Sequence, residues 1–144
     1  MSVLAYMGYY YYDVTYLLVI LGAVLSMIAS AQVNSTFKRY SRVRSGCGMT
    51  GAEAAERILY RNGLTNVRIE HISGNLTDHY DPSSKVLRLS DATYNATSVA
   101  AVGVAAHECG HAVQDARGYA PLKFRSALVP AANFGSKFGL PIFV

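Results

Sequence analysis

The chain has 144 residues, a formal net charge of +4, 51% hydrophobic residues and 15% charged ones. That length suits one modest domain, and the charged share is well under the roughly 25% of soluble domains, so part of the chain is expected outside water. The basic balance does not point to nucleic acid: residues 1–37 hold one charged residue, Asp13, then Lys38, Arg39, Arg42 and Arg44 follow as a block, with no aromatic-basic pattern after it.

From Val14 to Phe37 no residue is charged, and Val14 to Val33 is densely apolar. A transmembrane helix needs about 20 such residues. Tyr6, Tyr9, Tyr10, Tyr11, Tyr12 and Tyr16 gather at the N-terminal side of the stretch, as aromatics do at a membrane interface. A signal peptide would want a positive n-region, but residues 1–13 contain no Lys or Arg. A buried core helix rarely needs this length. The expectation is therefore an N-terminal Tyr-rich segment and membrane helix over 1–37, followed by a basic juxtamembrane linker over 38–49. Positive charge follows the span and none precedes it, which predicts an outside N-terminus and a cytoplasmic remainder. The basic block would face anionic lipid.

Thr50 with Glu53 three residues on reads as a capping box. Ala54, Ala55, Ile58 and Leu59 give a helical stripe, and Gly63 closes the turn. This predicts a helix over about 51–62. Val67 to Ile72 alternates apolar and polar residues as a strand does. Gly74-Asn75 turns the chain, 76–80 is extended, and Asp81-Pro82-Ser83-Ser84 is a strong turn signal. Lys85 to Leu89 is a further strand, giving a small antiparallel sheet or meander.

Asp91, Asn95 and Thr97 all offer helix starts. A helical pattern rich in small residues then runs from about Thr97 to Arg117. Gly118 ends it, and Pro121 is expected to stop any restart. Leu128 to Val144 turns apolar again, broken by Lys137. This reads as the start of a second membrane segment, 127–144, cut off partway.

The chemistry lies in His107-Glu108-Cys109-Gly110-His111. Four helical residues turn the side chain about 400°, so His107 and His111 lie within about 40° of one another, one turn apart. Two imidazoles so placed can share one tetrahedral Zn²⁺. Glu108, rotated about 100° from His107, can stand beside the metal's water without being a ligand, which is the position of a general base. Cys109 is most simply a small helix residue, and two cysteines, Cys47 and Cys109, are too few for a disulfide framework, so a reducing compartment fits.

A zinc hydrolase needs a third protein ligand. The extended motif with Gly and a third His fails here, because Gln114 and Arg117 occupy those places. No His follows His111, and Asp115 lies eight residues from His107, about 12 Å along the helix. Upstream, His79, Asp78, Asp81 and His71 are candidates, each more simply a turn or surface residue. The other candidate is a Glu on a later helix, beyond Val144. Asp115 could instead orient His111 as a hydrogen-bond acceptor.

Three stretches, Leu76-Thr77-Asp78-His79-Tyr80-Asp81-Pro82, Val86-Leu87-Arg88-Leu89-Ser90 and Gly103 through Ala112, with Tyr119-Ala120-Pro121-Leu122 and Ser126 through Pro130, resemble the YugP-like neutral zinc metallopeptidases of bacterial membranes. The resemblance spans essentially the whole chain. It implies a longer protein, with further membrane segments and a downstream acidic helix that supplies the third ligand. It also implies that this chain is C-terminally truncated. The expected fold is α+β: a zincin-like metal helix packed on a small antiparallel sheet, behind an N-terminal transmembrane helix. The peptidase domain, 50–126, would be incomplete. In zincins an edge strand beside the metal holds an extended substrate, and 85–90 is taken as that strand. The implied function is peptide hydrolysis by a zinc-activated water at the membrane, with Glu108 as base, a peptide or protein as substrate, and the lipid bilayer as partner. The rival reading is a membrane-anchored metal-binding or interaction module with no completed active site.

Overall fold

A computed structural model describes residues 14–143, with side chains up to 137. The chain divides into two compact units, one ending at Tyr40 and one beginning at Ser41. Residues 1–13, with the Tyr6 and Tyr9 to Tyr12 cluster, lie outside the described residues.

The first unit is helix α1, Val14–Ser41, which buries none of its residues. Among the described residues it is the one helix long and apolar enough to cross a membrane. It continues past the apolar stretch, so Lys38 and Arg39 occupy its last turn and do not open a linker as expected from the sequence. Hydropathy marks where the apolar part ends, whereas cations at a helix C-terminus favour continuing it by complementing the helix dipole.

The second unit begins with a segment that is pinned along its length. The Ser45 N–H donates to Thr97 O, the Val99 N–H to Val43 O and the Gly51 N–H to Ala96 O. Helix α2, Gly51–Arg61, follows. Its capping box is complete: the Glu53 N–H donates to Thr50 Oγ1 at 3.1 Å, and the Thr50 N–H to Glu53 Oε2 at 2.8 Å. Gly51 is required by closeness, since a Cβ there would meet Thr93 O at 2.2 Å. Gly63, at φ +71, reverses the chain after the C-cap Asn62.

Strands β1 (Arg68–Ile72), β2 (His79–Asp81) and β3 (Val86–Ser90) form one sheet in the order β1-β3-β2. β2 pairs antiparallel with β3, but β1 pairs parallel with it, from Arg68 opposite Val86 to Ile72 opposite Ser90. The sheet is therefore mixed, not the antiparallel meander expected. The reason lies in burial. Val86, Leu87, Leu89 and Ser90 are fully buried, so β3 takes the centre, whereas β1 and β2 carry polar, partly exposed residues suited to edges. The loop between β1 and β2 makes the reversal with Gly74 at φ +112 and Leu76 at φ +55. The Gly74 N–H is held by Asp91 Oδ2 at 3.0 Å.

Short helix α3, Asp91–Tyr94, leads to α4, Val99–Ala116. The N-cap of α4 is Ser98, whose Oγ accepts from the Ala101 N–H. Ala101, Ala105, Cys109 and Ala112 form its buried stripe. Their small side chains bring α4 close to Ala55 and Leu59 of α2 and to Leu87 and Leu89 of β3, which together make the core. Fully burying a Leu or Val contributes about 1.5–3 kcal/mol, so Leu59 of α2 and Leu87 and Leu89 of β3 together anchor α4.

Gly118, at φ +67, ends α4, and helix α5, Ala120–Phe143, starts at once. Pro121 therefore does not block the restart. In the first turn of a helix the missing N–H has no partner to lose, and the fixed φ of proline already suits the helix. The change of domain expected near residue 127 falls inside α5, with no break at that point.

Candidate metal centre

On α4 the buried stripe and the motif occupy different sides. Going round the helix from Ala105, His107 and His111 lie about 200° and 240° away, and Glu108 about 300° away. The two histidines therefore point off the core, and Glu108 stands at its border. His107 is exposed, while Glu108 and His111 are half-buried. The imidazole centroids are 4.8 Å apart, nearly perpendicular. One ligand atom from each of His107, Glu108 and His111 lies within 4.8 Å of the others.

This group opens into a cavity of about 400 Å³. Asp78, His79 and Tyr80 line one wall, and Leu122, Arg125, Ser126 and Val129 of α5 line another. Burial pushes the Glu108 carboxyl above its ordinary range. The facing charges of His111 and His107 pull it down, Asp78 pushes it up, and the main-chain N–H of Tyr80 pulls it down again.

Two imidazoles one helical turn apart, with a carboxylate between them, fit the donor chemistry of zinc, which takes His nitrogen at about 2.0–2.1 Å. Among the described residues no other His, Cys, Asp or Glu joins them within metal-sharing distance. The upstream candidates for a third ligand are engaged in local structure instead. His71 Nε2 is 2.7 Å from Asp91 Oδ1, and its ring stacks on Tyr94. Asp78 accepts the Ser90 N–H at 2.8 Å and the Ser90 hydroxyl at 2.9 Å, which ties the loop to the end of β3. His79 Nδ1 is 2.9 Å from Thr77 O. Asp81 caps its turn, accepting from the Ser83 N–H and the Ser84 hydroxyl. The Ser84 hydroxyl, then the Ser83 N–H, hold the Asp81 carboxyl down at about 2.

Two further expectations are corrected. Asp115 does not orient His111; it accepts from the Tyr80 hydroxyl at 2.8 Å and from the Lys85 ammonium. The neighbour of His111 is Gln114, whose Oε1 lies 3.2 Å from Nδ1. In the sequence Gln114 stood out only as a break in the longer zinc motif, although residues three apart on a helix share a face. The open strand beside the motif is not 85–90 either. β3 is paired on both sides, and β2 is the edge strand that lines the cavity.

Cys109 is a core residue. Its thiol reaches Ala55 O at 3.7 Å, and burial pushes it up to about 12. Cys47 is exposed, and both cysteines are free thiols.

Comparisons with known proteins show the family of the chain. The "Putative membrane protease YugP" of Bacillus subtilis (strain 168) is 47% identical over 112 residues, covering 78% of this chain and 50% of that protein. The chain thus spans about half the length of the curated relative it matches. No solved structure matches it. The family model that matches residues 15–144 is described as "Putative neutral zinc metallopeptidase", and the chain belongs to that family.

Proposed function

We propose that this chain is the metal-binding core of a membrane-anchored zinc metallopeptidase of zincin-like build. The observation that carries the reading is the convergence of His107, Glu108 and His111 in one cavity beside an edge strand. His107 and His111 are the zinc ligands, and Glu108 is the general base. When bound, zinc polarises the scissile carbonyl and makes water acidic enough to be deprotonated near neutral pH. Glu108 receives the proton from water and delivers it to the leaving amine. Its half-buried place raises its proton affinity toward that task. Along β2, whose outer edge has no strand partner among the described residues, an extended peptide can add as a further strand and lie beside Glu108.

Helix α1 anchors the unit in the bilayer. Lys38 and Arg39 in its last turn, with Arg42 and Arg44 after them, support a cytoplasmic catalytic side. The stretch from residue 127, which lies within α5, is the start of a second membrane segment. The third zinc ligand comes from outside the described residues, in keeping with a relative of which the match covers half.

One observation favours a second reading. Only two histidines meet at the metal position among the described residues, as they would in a membrane-anchored metal-binding or interaction module with no finished active site. Incubating the complete protein with an unfolded test protein separates the two. Cleavage that a chelator stops and added zinc restores supports the peptidase. Stable metal binding without cleavage supports the module.

A further inference from the structure

Tyr80 reaches the metal helix through its hydroxyl, which donates to Asp115 Oδ2 at 2.8 Å, and it lines the same cavity as Glu108. Glu108 and Asp115 are seven residues apart, about two helical turns, and hence on the same side of α4. The Lys85 ammonium holds the same Asp115 oxygen from the β2–β3 turn, where Lys85 adopts φ +54. Asp115 is largely buried, with a side-chain exposure of 15%, whereas Lys85 is 43% exposed. Strand β2 has only three residues and one strand neighbour, β3. Three antiparallel residues alone hold an edge weakly, so contacts to α4 decide where this edge stands.

We infer that Tyr80, Asp115 and Lys85 form a clamp that fixes the β2 edge against α4, and that Tyr80 and Asp115 are thereby positioning residues for Glu108. The clamp sets the width of the cleft between the Glu108 carboxylate and the strand. Asp115 is not among the residues that line the cavity. Its effect passes through the Tyr80 ring to strand β2, which forms a wall of the cavity that holds Glu108. The inference rests on the reading of Glu108 as the base, but its geometric half can be tested without catalysis.

The experiment uses the complete, zinc-loaded protein in detergent, with Tyr80→Phe and Asp115→Asn compared against wild type. Tyr80→Phe keeps the ring and the main-chain N–H and removes only the hydroxyl. Asp115→Asn keeps an acceptor for the hydroxyl and removes the charge that holds Lys85. Amide hydrogen exchange is followed residue by residue, together with zinc content and kcat and KM per folded, zinc-loaded molecule. The expected result for Tyr80→Phe is exchange at the Tyr80 amide faster by about tenfold or more, with amides of α2 and zinc content unchanged. A fall in kcat of about tenfold, with KM within about twofold, should accompany it, because small misplacements cost rate more than binding. Asp115→Asn should shift the same quantities in the same direction by less. Unchanged exchange at Tyr80 in both variants overturns the clamp, and so does faster exchange with unchanged kcat. Should the wild type cleave nothing, the peptidase reading fails, and the exchange measurement alone then decides the clamp.

Discussion

His111 Nδ1 lies 3.2 Å from Gln114 Oε1, so the second histidine of the motif is oriented from within its own helix. With Nδ1 turned to an amide oxygen, Nδ1 carries the proton and Nε2 is left as the nitrogen for a metal. Such a partner fixes the ring before the metal arrives. Replacing Gln114 with Leu should therefore weaken zinc binding by about 10- to 100-fold without unfolding the chain. Competition with a chromophoric zinc chelator measures this, and an unchanged affinity would show that the contact plays no part.

The close approach of α2 and α3 gives a stability prediction. A methyl group at Gly51 meets Thr93 O at 2.2 Å, and Thr93 is fully buried. Backbone must move to admit it, and overpacking of this kind costs about 1–3 kcal/mol. Gly51→Ala should lower the denaturant midpoint of the second unit accordingly. Equal stability would mean that the start of α2 can shift freely.

Much of the second unit was legible in the sequence because its signals are local. Thr50 and Glu53 announce the start of α2, Gly63 and Gly118 announce the ends of α2 and α4, and the spacing of His107, Glu108 and His111 sets the motif on one helix. The sheet order was not legible. Alternation in Val67 to Ile72 shows a strand but not its neighbour, and β3 enters between β1 and β2 because Val86, Leu87 and Leu89 need cover on both faces. The partner of His111 was misread for a related reason. Asp115 and Gln114 both follow the motif, but Asp115 is drawn away by Tyr80 and Lys85, which are remote in sequence.

The orientation of the second unit can be read from its cysteines. Cys47 is exposed, and the Ser45 hydroxyl beside it at 2.8 Å holds its thiol below the usual range, which favours the reactive thiolate. Cys109 is fully buried with a thiol pushed up to about 12, so it should stay silent. A membrane-impermeant maleimide added to intact cells should leave Cys47 unlabelled, and permeabilised cells should label it readily. Labelling from outside would reverse the assigned topology.

The metal site makes its own prediction about completeness. Among the described residues His107 and His111 are the two nitrogen donors that meet, whereas catalytic zinc is held by three protein ligands. Residues 1–144 alone should hold zinc at well below one equivalent after dialysis, and the complete protein should hold one. Full occupancy of residues 1–144 would mean that an upstream side chain moves in to complete the site. His79, which already lines the cavity, would be the first to replace.

The histidines bind the metal and Glu108 transfers the proton, and one substitution separates these proposed roles. Glu108→Gln in the complete protein should keep one equivalent of zinc while hydrolysis of an unfolded test protein falls by about 10²- to 10⁴-fold, the usual range for losing a general base. Elemental analysis and the cleavage rate, taken on the same preparation, give both values. Zinc lost together with activity in Glu108→Gln, or activity retained, would contradict the account.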